Sequence, residues 1–223
     1  MKVAVLRFPG TNCEFDTQYA FEKLGHNVDL VWHEDENLPA NIDLVVVPGG
    51  FSYGDYLRSG SIARFSPVMK AVSKYANDGG KVLGICNGFQ ILTEAGLLPG
   101  ALKRNNNLHF ISKHQTLRVE NTDNAFLNKC TKGEVLNIPI AHADGNYYID
   151  DEGLKELEEN NQVLLRYCDS EGNNVVVNGS VTSIAGVCNK NKNVFGLMPH
   201  PERALENILG SIDGVKMLEG FES

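Results

Sequence analysis

Four short apolar segments in the first 90 residues alternate with segments of helical character, and this alternation constrains the fold more than any other feature. The apolar segments are continuous and rich in β-branched residues, as strands are when helices cover both faces of a parallel sheet. They occupy residues 3–8, 28–32, 44–47 and 82–85. The pattern predicts an α/β fold, with an open, mostly parallel sheet flanked by helices.

Helices are predicted where apolar residues recur at intervals of three and four positions. This spacing marks residues 68–76, and the pairs Phe15/Tyr19 and Ala20/Leu24 predict an earlier helix. The other predicted elements are helices at 87–95, 151–159, 204–209 and 212–221, a strand at 194–197, and shorter strands within 108–189. No linker or repeat interrupts the chain, so we predict a single domain spanning residues 1–223.

Composition excludes several functional classes. The formal net charge of −8 lacks the basic surface that nucleic-acid binding requires, so we expect no nucleic-acid partner. No apolar run approaches the ~20 residues of a membrane span, and the first run ends at Arg7, as a strand does and a signal peptide does not. The five cysteines are scattered and form no Cys-x-x-Cys pair, which argues against a zinc knuckle or a disulfide framework. We expect a cytoplasmic protein with no membrane partner.

One cysteine lies in a distinctive turn. Residues 84–88 read Gly-Ile-Cys-Asn-Gly and stand between a predicted strand and a predicted helix. This is the Gly-x-nucleophile-x-Gly elbow, in which the glycines leave room for the sharp turn. The positive end of the helix dipole favours a negatively charged nucleophile there. We therefore predict Cys86 as the catalytic nucleophile. The other cysteines lack such a setting and are expected to be ordinary thiols: Cys13, Cys130, Cys168 and Cys188.

A base is predicted at the far end of the chain. His200 lies between Pro199 and Pro201, which restrict the backbone on both sides. Glu202, two residues on, can hydrogen-bond the imidazole and fix its tautomer, as the acid of a catalytic triad does. The order Cys, His, Glu along the chain differs from the order Ser, Asp, His of α/β-hydrolases and favours another family. We predict a triad of Cys86, His200 and Glu202.

Two backbone N–H groups are predicted to stabilise negative charge on a bound carbonyl oxygen. Asn87 directly follows the nucleophile, which is the usual position of one oxyanion-hole donor. Residues 48–50 read Pro-Gly-Gly and end another predicted strand at the same edge of the sheet. The two glycines permit a close approach of the backbone to a ligand. We expect the N–H of Gly50 to complete the oxyanion hole.

These motifs together resemble class I, triad-type glutamine amidotransferases, which have a flavodoxin-like sheet. The resemblance rests on Pro-Gly-Gly at 48–50, Gly-x-Cys-x-Gly-x-Gln at 84–90 and His-Pro-Glu at 200–202. Longer matches at residues 9–13, 49–57, 138–147 and 198–203 resemble the family of glutaminase subunits of phosphoribosylformylglycinamidine synthase, an enzyme of purine biosynthesis. At position 144 this chain has Asp, where Glu is expected at least as often.

The resemblance implies a mechanism. Cys86 attacks the side-chain amide of glutamine, His200 protonates the departing amine and then activates water, and Glu202 holds the imidazole. The products are glutamate and ammonia. Gln90 is implied to line the glutamine site. The sequence leaves open whether Tyr53, Asp55 and the segment 142–147, which includes His142 and Asp144, contact glutamine or a partner.

A partner is expected because the chain lacks the means to use ammonia. No Gly-x-x-x-x-Gly-Lys-Ser/Thr motif is present, and no carboxylate cluster suited to Mg²⁺ is evident. We therefore expect no cofactor and no metal in this chain, with ATP and Mg²⁺ on a separate subunit. The resemblance implies a large ATP-dependent synthetase subunit and a small third subunit, and weak glutaminase activity until they dock.

Three alternatives remain open at this point. A cysteine protease or stress protein on a similar sheet would typically carry His directly after the nucleophile, where this chain has Asn87. A γ-glutamyl hydrolase that acts alone shares the thioester chemistry and differs only in lacking a partner. A non-enzymatic binding module would have a broken triad, whereas all three residues are present.

Overall fold

The computed structural model describes residues 1–222, which form eleven strands and five α-helices. The strands are β1 (Lys2–Arg7), β2 (Asn27–Trp32), β3 (Leu44–Val47), β4 (Lys81–Ile85), β5 (Ala101–Lys103), β6 (Ile111–Val119), β7 (Val135–His142), β8 (Asn146–Tyr148), β9 (Val163–Tyr167), β10 (Ile184–Cys188) and β11 (Val194–Leu197). The helices are α1 (Glu14–Lys23), α2 (Pro67–Asn77), α3 (Asn87–Glu94), α4 (Asp151–Glu159) and α5 (Gly214–Glu219).

Nine strands form one continuous sheet, in the order β2-β1-β3-β4-β11-β10-β9-β6-β7. The first five of these are parallel to their neighbours, and the sheet continues through antiparallel pairs from β11 onwards. Strands β5 and β8 form a separate antiparallel pair. The predicted α/β class is confirmed, with helices packed on the parallel half of the sheet.

Burial explains why the strand predictions succeed. All four residues of β3 are buried, as a strand covered on both faces requires. Helix α2 turns Val68, Val72 and Ala76 into the core, the face that the sequence spacing predicts. The bounds predicted for β3, β11 and α4 coincide with those observed. None of the helices in residues 1–222 has the length and hydropathy needed to cross a membrane.

The predicted helix at 204–209 is wrong. Residues 201–210 instead form two 3-10 turns, Pro201–Arg203 and Asn207–Leu209, and an isolated bridge between Glu206 and Ser211 encloses the second turn. Ile208 is 90% exposed, so the apolar spacing there does not form a core-facing helical face. The predicted helix at 212–221 is shorter than expected, because α5 ends at Glu219 and a 3-10 turn follows.

The carboxyl ends of the parallel strands determine where a site can form. Strands β4 and β11 are neighbours, with Ile85 opposite Leu197. The segment after β4 therefore meets the segment after β11, although more than a hundred residues separate them in sequence. The turn after β3 lies on the other side of β4, at the same edge of the sheet.

Candidate active site

Cys86 occupies a strained turn between β4 and α3. Its φ is 51° and its ψ is −105°, a conformation that a non-glycine residue adopts only when the surrounding structure enforces it. The surrounding contacts are backbone hydrogen bonds: Cys86 N donates to Leu197 O at 2.8 Å, and Cys86 O accepts from Gln90 N at 3.2 Å. The elbow predicted from the sequence is thus present, and it holds the sulfur at the first turn of the helix.

The two glycines of the elbow are required by backbone contacts. A Cβ at Gly88 would lie 1.8 Å from the carbonyl oxygen of Val47, so α3 packs directly on the end of β3. A Cβ at Gly84 would lie 2.6 Å from Leu92 Cδ1 and 2.8 Å from the backbone of Gly88. Neither position has room for a side chain, so the glycines leave space for the sharp turn as the sequence predicts.

His200 and Glu202 form a buried pair that faces the elbow. Nδ1 of His200 lies 2.6 Å from Oε1 of Glu202, and the two residues are 1% and 2% exposed. The backbone N–H of His200 donates to Pro139 O at 2.8 Å, which fixes the turn between its two flanking prolines. A Cβ built on Gly49 would lie 2.9 Å from Cε1 of His200 and 3.4 Å from Cβ of Cys86, so the structure brings the three residues of the predicted triad together.

The electrostatic environment favours a protonated His200. Burial would lower the pKa of this imidazole, but the carboxylate of Glu202 and the nearby thiols of Cys86 and Cys13 outweigh burial and raise the pKa well above its usual value. A charged imidazole beside Cys86 can supply the proton that a leaving amine requires.

The two predicted oxyanion donors come from the turn after β3 and from the start of α3. Asn87 is the first residue of α3, where a backbone N–H has no acceptor within the helix. Gly50 has a φ of 145°, and its N–H makes no hydrogen bond within residues 1–222. A Cβ at Gly50 would lie 2.7 Å from Asn12 N, so the loop after β1 crosses directly over this turn.

Gln90 is buried, and both ends of its amide are bonded within the chain. Its Oε1 accepts from Asn87 Nδ2 at 2.8 Å, and its Nε2 donates to Asp144 O at 2.7 Å. The side chain of Asn87 also accepts from Ser52 N at 3.1 Å. Gln90 thus ties the start of α3 to the segment after β7, one helical turn from Cys86.

Cys13 is the residue that the sequence argument missed. The sulfur lies beside the ring of His200, and a ring nitrogen of His200, a carboxylate oxygen of Glu202 and Cys13 Sγ all lie within 4.8 Å of one another. Arg203 Nη2 donates to Cys13 Sγ at 3.1 Å. Burial raises the pKa of the Cys13 thiol, and its contact with His200 opposes this effect. The sequence does indicate the loop after β1, because that loop follows a carboxyl strand end, but nothing local distinguishes its cysteine.

A second histidine, His142, is neutral, and a hydrogen-bond network fixes which of its ring nitrogens carries the proton. The amide nitrogen of Asn105 donates to the carbonyl oxygens of His109 and His142, which fixes the orientation of the amide. Its Oδ1 accepts from Gly145 N and lies 3.2 Å from His142 Nδ1. Because an amide oxygen can only accept, Nδ1 of His142 carries the proton. Nε2 of His142 is consequently an acceptor, buried and unbonded within residues 1–222. Burial, followed by the charge on His200, lowers the pKa of His142 to about 4.

The residues whose roles the sequence left open fall into two groups. Tyr53 anchors the loop after β3, because its hydroxyl lies 2.8 Å from His33 Nδ1 and 2.9 Å from Ser66 Oγ. Asp55 and Asp144 are close to each other, with Ser59 Oγ donating to Asp144 Oδ2 at 2.7 Å. Burial and then the charge on Asp144 raise the pKa of Asp55 to about 6.

The arrangement as a whole is suited to acyl transfer. It combines a thiol at a strained elbow, a charged imidazole held by a carboxylate and two N–H groups that can face a developing oxyanion. Polar groups from the segments after β3 and β7 complete the surroundings, which favours a polar substrate over an apolar one.

The chain is similar over nearly its full length to glutamine amidotransferases. Residues 1–217 match the family described as the CobB/CobQ-like glutamine amidotransferase domain. The phosphoribosylformylglycinamidine synthase subunit PurQ of Sulfurimonas denitrificans is 69% identical over 221 residues, which cover 99% of this chain and 99% of that protein. The subunit of the same name from Campylobacter jejuni is 60% identical over 221 residues, covering 99% and 96%.

Solved structures give the same result. A chain in the structure of PurLQS from Thermotoga maritima is 43% identical and superposes with a TM-score of 0.88, covering 99% of this chain and 97% of that one. A glutamine amidotransferase from Thermotoga maritima is 17% identical with a TM-score of 0.58, covering 100% and 90%. At that identity the second likeness concerns the fold alone.

Proposed function

The chain belongs to the glutamine amidotransferase family, and we propose that it is the glutamine-hydrolysing subunit of a phosphoribosylformylglycinamidine synthase. Such a subunit releases ammonia, which an ATP-dependent synthetase uses to convert formylglycinamide ribonucleotide to formylglycinamidine ribonucleotide in purine biosynthesis. The proposal is supported by 60–69% identity over 221 residues to curated subunits of that enzyme. The contact between Cys86 and the His200–Glu202 pair carries the chemistry.

The first half of the reaction forms a thioester. The Cys86 thiolate attacks the side-chain amide carbon of glutamine, and the N–H groups of Gly50 and Asn87 stabilise the oxyanion. His200 gives its proton to the amide nitrogen, so the C–N bond breaks and ammonia leaves. Gln90 shapes the wall of the glutamine site, since its own amide is occupied by Asn87 and by the backbone of Asp144.

The second half returns the enzyme to its starting state. His200, now neutral, takes a proton from water, and the resulting hydroxide attacks the thioester carbonyl at the same oxyanion hole. Collapse of that intermediate releases glutamate and the Cys86 thiolate. Glu202 keeps Nδ1 of His200 protonated throughout, so Nε2 is the nitrogen that exchanges protons with substrate and water.

Ammonia is useful only to a partner that receives it unprotonated. We assign the partners as a large synthetase subunit, which holds ATP and Mg²⁺, and a small third subunit; no cofactor is assigned to this chain. One of the solved structures similar to it is the assembly PurLQS. We place the complex in the cytoplasm.

The experiment that tests this function uses the assembled complex. Cys86→Ala should abolish synthesis driven by glutamine, while an added ammonium salt should still support it, because only ammonia production is lost. The control is Cys130→Ala, which changes a buried thiol outside the site. Glutamine-driven synthesis at the wild-type level in Cys86→Ala would show that the nucleophile is assigned wrongly.

Dependence on the partner is measured separately. Glutamate release from glutamine is compared for the chain alone and for the complex. We expect release to rise when the synthetase subunit is present. Equal release from the isolated chain would favour the independent hydrolase that the sequence left open.

A further inference from the structure

Two amide side chains connect the turn after β3 to the segment after β7. Asn87 Oδ1 accepts from Ser52 N at 3.1 Å, and Asn87 Nδ2 donates to Gln90 Oε1 at 2.8 Å. Gln90 Nε2 in turn donates to Asp144 O at 2.7 Å. A backbone N–H can only donate and a backbone carbonyl can only accept, so the two ends of this amide relay determine the orientation of both amides.

The relay is buried where it passes through Asn87. Asn87, Ser52 and Gln90 are 1%, 2% and 5% exposed. A buried amide costs free energy unless its polar atoms are bonded, whereas an apolar side chain of similar size would fill the space without that cost. The hydrogen bonds are therefore what distinguishes the amide at position 87, and Gln90 holds it in the rotation that presents Oδ1 to Ser52.

The loop that Asn87 bonds contains strained backbone. Tyr53, Asp55 and Leu57 have φ values of 53°, 54° and 69°, a region that non-glycine residues occupy only where the surrounding structure holds them. Each such residue costs of order 1 kcal/mol or more, so the loop relaxes unless it is anchored. The position of Gly50, three residues before Tyr53, depends on the anchors between them.

Three consecutive backbone N–H groups provide those anchors. Phe51 N and Tyr53 N donate to carbonyls of the segment after β1, at 3.0 and 2.6 Å. Ser52 N, between them, donates to the side chain of Asn87. Of these three bonds, the one from Ser52 attaches the loop to the helix that begins at the nucleophile Cys86.

We propose that the side chain of Asn87 is a positioning residue that holds the Gly50 turn against the Cys86 elbow and thereby sets the spacing of the two oxyanion donors. One predicted donor is the backbone N–H of Asn87 itself. The other is the N–H of Gly50, two residues before the group that the Asn87 side chain bonds, so both donors depend on one residue. Such donors act on the oxygen of the transition state, and an error in their spacing lowers kcat more than it changes KM. The effect on catalysis rests on the proposed function, whereas the anchoring of Ser52 does not.

The first measurement requires no activity. Amide hydrogen exchange of the full chain is followed by NMR in wild type and in Asn87→Leu, which keeps a branched side chain and loses both hydrogen bonds. Exchange of Ser52 N–H should accelerate by at least about 10-fold because its acceptor is gone, while N–H groups within β3 exchange as in wild type. Asn87→Asp retains an acceptor and should keep Ser52 protected. Wild-type exchange of Ser52 in folded Asn87→Leu would overturn the proposal.

The second measurement is glutamate release by the assembled complex. Asn87→Leu should lower kcat by about 10- to 100-fold, less than outright removal of a donor, with KM changed by less than about threefold. Alkylation of Cys86 by iodoacetamide forms no oxyanion and should proceed at the wild-type rate. A kcat within twofold of wild type would overturn the proposal, and so would an equal loss of alkylation, which would show damage to the nucleophile itself.

A matched control separates catalysis from stability. Asn193 is another buried amide, and its Nδ2 donates to the carbonyls of Ala76 and Gly80 at 2.7 and 2.8 Å. It directly precedes β11, at the edge of the sheet opposite the site. Asn193→Leu should lower thermal stability and leave kcat unchanged. A loss of kcat as large as that of Asn87→Leu would overturn the proposal.

Two further arms keep the outcomes distinct. If Asn87→Leu does not fold, Asn87→Ala removes the same hydrogen bonds without adding volume and is compared in the same way. A wild-type complex that hydrolyses no glutamine would refute the proposed function, and exchange of Ser52 N–H would still decide whether Asn87 anchors the turn.

Discussion

The carboxylate of Glu202 lies 2.6 Å from Nδ1 of His200, and both side chains are almost completely buried. In the proposed mechanism this carboxylate does two things: it fixes which nitrogen carries the proton, and it stabilises the imidazolium that protonates the leaving amine. Oε2 of Glu202 has no hydrogen-bond partner within residues 1–222, so the interaction with His200 is the main one that the side chain makes.

Glu202→Gln should therefore reduce kcat for glutamine hydrolysis by about 10²- to 10⁴-fold with little change in KM, because orientation and charge are lost while the glutamine site remains. Glutamate release by the complex gives both constants. Glu206→Gln, in the same segment but bonded to Tyr19 on the surface, is the matched control and should retain activity. An unchanged kcat in Glu202→Gln would remove Glu202 from the triad.

Gly88→Ala should destabilise the fold strongly. Its Cβ would lie 1.8 Å from the carbonyl oxygen of Val47, and the backbone of α3 would have to separate from β3, at a cost of more than about 3 kcal/mol in the free energy of unfolding. Gly96→Ala, at the other end of α3, meets no atom within 4 Å and carries only the strain of its φ of 72°, about 1–2 kcal/mol. Urea unfolding of both variants checks the contrast, and equal costs would contradict it.

His142 should make the protein less stable as the pH falls from 6.5 towards 4. The pKa of His142 is lowered to about 4 in the folded chain, so below pH 6.5 the unfolded chain binds a proton that the folded chain does not. The loss between pH 7.5 and 5.0 should be about 2 kcal/mol. In His142→Asn the amide nitrogen can replace Nδ1 as the donor to Asn105. Urea unfolding of this variant should show a loss of stability between pH 7.5 and 5.0 that is about 2 kcal/mol smaller than the loss in wild type. An NMR titration in which His142 protonates near pH 6.5 would sink the prediction.

Asp55 should have the opposite effect on stability: its contribution should make the protein more stable as the pH falls. Its pKa is raised to about 6 by burial and by Asp144, so the carboxylate destabilises the folded state above pH 6 and this effect is relieved as the pH falls towards 3.8. Asp55→Asn should be more stable than wild type at pH 7.5, by less than about 1 kcal/mol because the group is half-exposed and screened. Unfolding is compared at pH 7.5 and 4.5, with exposed Glu171→Gln as the reference for loss of one charge. A difference in unfolding free energy between Asp55→Asn and wild type that stays constant with pH would contradict the prediction.

Much of the fold could be predicted because its parallel half is built from strands buried on both faces. Such strands are continuous apolar runs, which is why the bounds of β3 and β11 came out as observed. The predicted helix at 204–209 failed for a related reason. Apolar spacing predicts a helix only where one face is covered, and the side chain of Ile208 is exposed instead.

The candidate site also contains residues that the sequence could predict and residues that it could not. Cys86 could be predicted because its elbow requires glycines at fixed positions, and those requirements are visible in the sequence. Cys13 could not, because its place beside His200 depends on the loop after β1 crossing the Pro-Gly-Gly turn, where Cys13 N donates to Gly49 O at 3.2 Å. The contact is tertiary and leaves no local pattern. The pairing of Asn105 with His142 escaped prediction for the same reason.

The adjacency of β4 and β11 has a consequence for the protein during its synthesis. A ribosome has made the predicted nucleophile by residue 86, but the predicted base lies more than a hundred residues later and reaches the elbow only when β11 has added beside β4. An unfinished nascent chain therefore carries a thiol with no acid–base partner. The predicted triad is complete only after the last strand of the parallel half is in place.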